Sequence, residues 1–132
     1  MAWQKLLEIL RRAAAWLFPL ALAVVVWGEL KPSTHGPEVI WDKLLHLTAY
    51  FGLAGIATVA LGRGKASLWA AFALALFGGI LEIVQSFVGR DAEWGDEIAN
   101  VFGAGMGLAA GWASLWVVEQ LVSGFSQSGR GQ

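Results

Sequence analysis

The 132-residue chain has no cysteine, which excludes disulfides, thiolate metal sites and a thiol nucleophile. Charge is scarce as well. Asp, Glu, Lys and Arg make up 14% of residues, against about 25% in an ordinary soluble domain. Net charge is -1 and no basic block occurs, so no nucleic-acid partner is expected. No stretch alternates apolar and polar residues as a half-buried strand does. A nucleophile motif, a phosphate-cradling glycine loop, a convincing internal repeat and a separate soluble domain are likewise missing.

What the chain has instead is apolar surface. Hydrophobic residues make up 57% of it, where a soluble domain holds roughly 45–50%. A single small domain leaves much of its area exposed and has nowhere in water to hide such a surplus. Lipid is the solvent that removes the difficulty.

Four stretches approach the about 20 residues needed to cross a hydrocarbon core. Ala13 to Gly28 carries no charge, and Leu44 to Gly62 is apolar apart from His46, Thr48 and Tyr50. Ala66 to Val88 is interrupted by Glu82 and Gln85, and Ile98 to Val118 by Asn100. Backbone groups in lipid must be satisfied within helices or closed barrels, and no strand pattern competes. The expectation is an all-α, polytopic membrane protein, a four-transmembrane-helix bundle forming one domain over residues 1–122. Its helices are placed at about 13–30, 43–62, 66–88 and 97–119. The Gly-, Ser- and Gln-rich residues 123–132 read as a disordered tail.

The first span has a basic flank but no small-x-small cleavage site after it, so it reads as a retained helix, not a signal peptide. Pro19 is tolerable within a membrane helix. Upstream, Trp3, Leu6, Leu7 and Leu10 recur at i, i+3, i+4 and i+7. They form either a short N-terminal amphipathic helix on the membrane surface or an extension of span one.

Basic residues set the expected orientation. Lys5, Arg11, Arg12, Arg63, Lys65 and Arg130 fall on one side. Lys31, Lys43 and Arg90 fall on the other among seven acidic residues: Glu29, Glu38, Asp42, Asp91, Glu93, Asp96 and Glu97. The positive-inside rule makes both termini cytoplasmic. Tryptophans toward both ends of the spans, Trp16, Trp69, Trp112 and Trp116 against Trp27, Trp41 and Trp94, agree with interfacial belts.

The polar residues inside the spans recur at helical spacing. Asp42, His46 and Tyr50 share a face of span two. Glu82, Gln85 and Ser86 share one on span three, with Arg90 beyond, and Asp96 and Asn100 share one on span four. A rise of about 1.5 Å per residue converts these positions into depths. Asp42, Lys43, Arg90 and Asp96 form a rim. His46, Gln85 and Asn100 lie ~6 Å deeper, and Tyr50 and Glu82 ~12 Å deeper. A charge at mid-membrane costs about 2.5–3.5 kcal/mol on insertion scales, so Glu82 is expected to meet His46, Tyr50 or Lys43. Asn100 or Ser86 alone would serve as interhelical glue. Glu82 with His46 and Arg90 favours a site, because neutral residues supply glue at lower cost. Gly103, Gly107 and Gly111 form a small-residue stripe suited to packing within the bundle or to oligomer formation.

These residues, read in order, resemble the VanZ-like family of bacterial membrane proteins. The carrying motifs are Asp42-Lys43-x-x-His46-x-x-x-Tyr50-Phe51, Gly79-Ile80-Leu81-Glu82-x-x-Gln85, Gly89-Arg90 and Asp96-x-x-Ala99-Asn100-x-x-Gly103-x-x-x-Gly107. The resemblance covers roughly Trp41 to Gly111. Two departures stand out: Val88 replaces a proline common before the Gly-Arg pair, and Glu97 replaces a usual aliphatic residue. The resemblance implies an envelope role in the bacterial cytoplasmic membrane, and the family is named for a protein linked to low-level teicoplanin resistance. It implies no established reaction.

Two functions follow. One is a non-enzymatic protein that binds an amphiphilic or lipid-linked molecule at the outer leaflet, among membrane lipids, and contributes to glycopeptide resistance. The other is an integral membrane enzyme acting on a lipid-linked or cell-wall precursor, with His46 as general acid or base, Glu82 orienting it, and Arg90 or Lys43 holding an anion. A proton-linked transporter is a weaker third reading, since four spans would have to oligomerise to form a path. His46 with Glu82 and Asp42 is a thin metal-ligand set, so neither a metal nor another cofactor is expected.

Overall fold

The computed structural model describes residues 2–31, 39–88 and 93–128. They form α1 (Ala2–Leu30), α2 (Val39–Leu61), α3 (Lys65–Gln85) and α4 (Trp94–Ser128), with no strand among the described residues. Each helix contains a stretch long and apolar enough to cross a membrane. The protein is an all-α four-helix bundle of the multi-pass membrane class.

Burial is arranged for lipid. Among the largest fully buried side chains are Gln85, Asn100, Thr58 and Ser67, while Trp16, Trp27, Ile40, Phe87 and Trp94 are exposed. A water-soluble bundle sorts the other way. In hydrocarbon an apolar side chain gains nothing by hiding, whereas a polar one must find a partner.

The helix ends differ from the expected boundaries in instructive ways. The N-terminal amphipathic segment is no separate element, because α1 runs unbroken from Ala2 through Pro19 to Leu30. At the end of α2, Gly62 adopts φ 81° and its N–H donates to the Thr58 carbonyl at 2.8 Å. Glycine supplies this left-handed turn without a steric penalty, so α3 begins almost at once. In turn, α3 stops at Gln85, three residues before the expected Val88. There the ladder tightens to i→i+3 bonds, Phe87 N–H to Val84 O and Val88 N–H to Gln85 O, both 3.0 Å.

The helix α4 begins at Trp94 and runs past 119 to Ser128, so residues 123–128 of the expected tail are helical; 129–132 lie outside the described residues. Its 35 residues span about 50 Å, more than a bilayer core requires. Glu119 pairs with Arg63 of the α2–α3 turn at 3.2 Å, which fastens the helix near the point where it was expected to stop.

Neighbouring helices alternate in direction, so α2 and α4 run parallel, and these two share the most extensive interface. The stripe of Gly103, Gly107 and Gly111 faces α2 of the same chain. A methyl at Gly103 would strike the Leu47 carbonyl oxygen, and one at Gly107 the Phe51 carbonyl oxygen. At Gly111 it would fall 2.7 Å from Thr58 Cβ. The close approach that the stripe permits is therefore used within the bundle. Around this pair, Tyr50, Leu53, Ala54, Leu74 and Ala104 form the core, with Phe18, Leu22 and Val25 of α1 packed on its flank.

Candidate functional site: a four-helix polar cluster

All four helices contribute buried polar groups at the end of the bundle where α1 and α3 stop and α2 and α4 start. His46, one turn into α2 from Asp42, is at the centre. Its Nδ1 lies 3.0 Å from Asn100 Oδ1 of α4, 3.5 Å from Glu29 Oε1 of α1 and 3.9 Å from Glu82 Oε1 of α3. Gln85 Nε2 donates to the Glu29 backbone carbonyl at 3.1 Å and ties α3 to α1. The expected second layer of His46, Gln85 and Asn100 thus consists of buried residues, with the His46–Asn100 contact formed directly.

At the rim, Lys43 Nζ donates to Glu93 Oε2 at 2.6 Å and to Asp96 Oδ1 at 3.3 Å. The stem of Lys43 lies across Gly95, where a methyl group would collide with it. Arg90, expected to complete the rim, lies outside the described residues. Asp42 is partly buried and offers an oxygen close to His46 and Asp96: ligand atoms of the three all lie within 4.8 Å of one another. That spacing admits a cation, but the Lys43 ammonium already lies against Asp96. This triad differs from the thin set considered from sequence, since Asp96 takes the place of Glu82.

Glu82 stands higher than expected. Counting from Arg90 put it with Tyr50, ~12 Å down. Because α3 ends at Gln85, Glu82 is less than one turn from the helix end. Its Oε2 accepts the Glu93 backbone N–H at 3.3 Å, and its Oε1 approaches His46. Tyr50 does occupy the deeper level, wholly buried. Ser86 is exposed and bonds the Ile83 carbonyl at 2.6 Å, so it belongs to the turn and not to the cluster.

Beneath Glu82, Gly78 and Gly79 form a floor without side chains. A Cβ on Gly78 would fall 2.7 Å from Asn100 Nδ2, 3.0 Å from Glu97 Oε2 and 3.1 Å from the Tyr50 hydroxyl oxygen. The Glu97 carboxylate lies over both glycines, with Asn100 Nδ2 donating to its Oε2 at 3.3 Å. Next to this floor, a groove of about 490 Å³ opens between α3 and α4. It is lined by Leu76, Ile80, Ile83 and Trp94, with Glu82, Glu93 and Glu97 along it. Those four apolar residues are all exposed on the lipid-facing side of the bundle.

Sequence reasoning left Glu29, Glu93 and Glu97 outside the candidate site. Glu29 had a usable signal: the uncharged stretch before it, 13–28, is shorter than the about 20 residues of a full span, which draws Glu29 inside the hydrocarbon. Glu97 had another, since it precedes Asn100 by three positions on the same helical face, while Glu93 lies just before the first residue of α4. Glu97 is also one of the two departures from the resembled motif. Compared with models of known families, with curated proteins and with solved structures, the chain shows no match.

Proposed function

We propose that this protein binds an amphiphilic or lipid-linked molecule at its polar end and so serves the envelope of a bacterium from the cytoplasmic membrane. In this reading the polar end faces outward, with both termini and the 62–64 turn cytoplasmic. Lys5, Arg11, Arg12, Arg63 and Lys65 support that orientation, since all five cluster at the opposite end of the bundle. The resemblance to VanZ-like proteins, carried by His46, Tyr50, Glu82, Gln85 and Asn100, makes a contribution to teicoplanin-type glycopeptide resistance the expected physiological setting.

The observation that carries the reading is the groove between α3 and α4. Its apolar walls continue the lipid-facing surface, and Glu82, Glu93 and Glu97 lie along it beside Gly79. A molecule with a chain in the bilayer and a polar head fits that division without leaving the membrane.

A catalytic reading is favoured by one observation, the contact of His46 Nδ1 with two carboxylates and an amide oxygen within 4 Å. An imidazole oriented by carboxylates is the arrangement of a general acid or base. His46 is buried and does not line the groove, however, so an occupant meets Glu82, Glu93 and Glu97 first. Binding is the better-supported role.

The test uses Glu82→Gln and His46→Asn, which retain much of the hydrogen-bonding capacity but remove the ionisable groups. Envelope-antibiotic susceptibility is measured in a host without its own copy and normalised to folded protein. Binding predicts near-normal insertion with loss of the phenotype. A phenotype that simply follows the folded fraction, as Gly107→Leu should show, would reduce the cluster to helix fastening.

A further inference from the structure

We propose that the face of α3 and α4 nearer the 62–64 turn binds an anionic phospholipid of the adjoining leaflet, with an acyl chain in an apolar groove and the phosphate on Lys65. The site lies toward the opposite end of the bundle from the polar cluster. It does not depend on the function proposed for that cluster.

The groove is the first observation. It measures about 450 Å³ beside the first half of α3, and every residue lining it is apolar or glycine. Leu68, Trp69 and Phe72 stand exposed along α3 as its wall, with the Trp69 ring edge-on to Phe72 at 5.8 Å. Ala71 and Ala104 are buried beneath them, and a methyl at Gly105 would meet nothing within 4 Å. Large side chains beside small ones leave a furrow whose lining lacks partner atoms. A flexible hydrocarbon chain is the occupant that a bilayer supplies.

Charge at the mouth of the groove selects the head group. Lys65, Leu68, Trp69 and Phe72 recur at i, i+3, i+4 and i+7. They share one face of α3, with Lys65 ~5 Å beyond Leu68 along the axis. Lys65 is exposed and makes no ion pair among the described residues. The acidic side chains of this end, Glu8 and Glu119, are engaged by Arg12 and Arg63. No acid of the chain is left for the Lys65 ammonium.

The start of α3 adds to that surplus. Helices ordinarily begin with an oxygen-bearing cap and acidic residues in the first turn, which offset the positive end of the dipole. Here Gly64 holds the cap position with no side-chain hydrogen bond, the first turn has no acid, and Lys65 opens the helix. Dipole and ammonium therefore reinforce each other beside the groove. A phosphodiester relieves both and carries its own chain. A neutral lipid would use only the groove, and a soluble phosphate only the charge. Trp69, exposed one turn below Lys65, suits the level where head group meets chain.

The full chain in maltoside micelles is titrated with dioleoyl phosphatidylglycerol, dioleoyl phosphatidylcholine and glycerol 3-phosphate, and bound lipid is counted by native mass spectrometry. Phosphatidylglycerol should bind about fivefold or more tightly than phosphatidylcholine, the increment of about one lysine at a membrane surface. Glycerol 3-phosphate should be weak for want of a chain. Lys65→Gln should remove most of the preference and leave phosphatidylcholine unchanged, while Lys5→Gln, equal in charge but on α1, should keep it. Gly105→Leu should weaken both lipids by filling the groove, and the lysine pair carries the test if that variant does not fold. Equal binding of the two lipids overturns the proposal, as does an equal loss in both lysine variants, which would mean diffuse attraction to a basic surface. Glycerol 3-phosphate matching phosphatidylglycerol, or a folded Gly105→Leu without effect, removes the chain from the groove. A dimer that holds no lipid and is lost in Gly105→Leu would give the groove to a second copy instead.

Discussion

Asn100 Oδ1 lies 3.0 Å from His46 Nδ1, and the same amide donates through Nδ2 to Glu97. The amide nitrogen is committed to a carboxylate, so its oxygen faces the imidazole. An amide oxygen only accepts, which requires His46 Nδ1 to carry a proton. One side chain therefore sets the histidine tautomer, steadies a groove carboxylate and holds α4 in register against α2.

Asn100→Leu is expected to cost about 1–2 kcal/mol, because it leaves the His46 N–H and the Glu97 carboxylate without their partner inside the membrane. Chemical unfolding in mixed micelles measures the loss. Nitrogen-15 NMR of His46 should show the Nδ1-protonated form in the parent and a redistributed population in the variant. Unchanged stability and an unchanged tautomer would show that the contact holds nothing.

Gly107→Ala and Gly105→Ala make a matched pair two residues apart on α4. A methyl at Gly107 meets backbone, with Gly55 N at 3.0 Å and the Phe51 carbonyl oxygen closer still, while nothing lies within 4 Å of one at Gly105. The first substitution should lower stability by about 1–3 kcal/mol through overpacking against a neighbour that cannot move aside. The second should be neutral or raise it slightly through helix propensity. Equal thermal midpoints for both would mean that α2 and α4 do not meet along this stripe.

At the opposite end, Trp112 Nε1 donates to the buried Ser67 hydroxyl at 2.9 Å and joins α4 to the first turn of α3. Trp112→Phe and Ser67→Ala should each cost about 1 kcal/mol, and the double variant less than their sum. A double-mutant cycle by urea unfolding reads the coupling, and strict additivity would remove the bond from the account.

Cysteine placed at position 94, whose Trp is exposed at the polar end, should react with an impermeant maleimide in intact cells. Cysteine at exposed position 64 should react only after lysis. The absence of native cysteine makes both readings free of background. Reaction at position 64 alone would reverse the proposed orientation.

Much of the candidate site was legible because helical spacing and depth are nearly one-dimensional properties. Asp42, His46 and Tyr50 fall on one face whatever surrounds them, and a rim pair such as Lys43 with Asp96 follows from matching distances to the helix ends. The error for Glu82 arose where that ruler failed. The i→i+3 turn after Gln85 shortens α3, and no propensity of Ser86, Phe87 or Val88 announces it. Residues 123–128 of the expected tail differ as well: Ser123 and Gly124 are poor helix formers, yet α4 runs through them to Ser128.

Composition and periodicity alone determined that this chain is helical, crosses the membrane in four segments and carries polar residues sorted by depth, since hydropathy and the 3.6-residue turn act within each segment separately. Which carboxylate faces which helix was a matter for tertiary structure. Glu29 reaches His46 because α1 lies antiparallel to α2, and Glu97 lies over α3 because Gly78 and Gly79 leave room for it. The groove is lined by residues of α3 and by residues at and just before the start of α4, a relation between two surfaces that no local spacing announces. Local spacing places a side chain on its own helix, but only packing decides what stands opposite it.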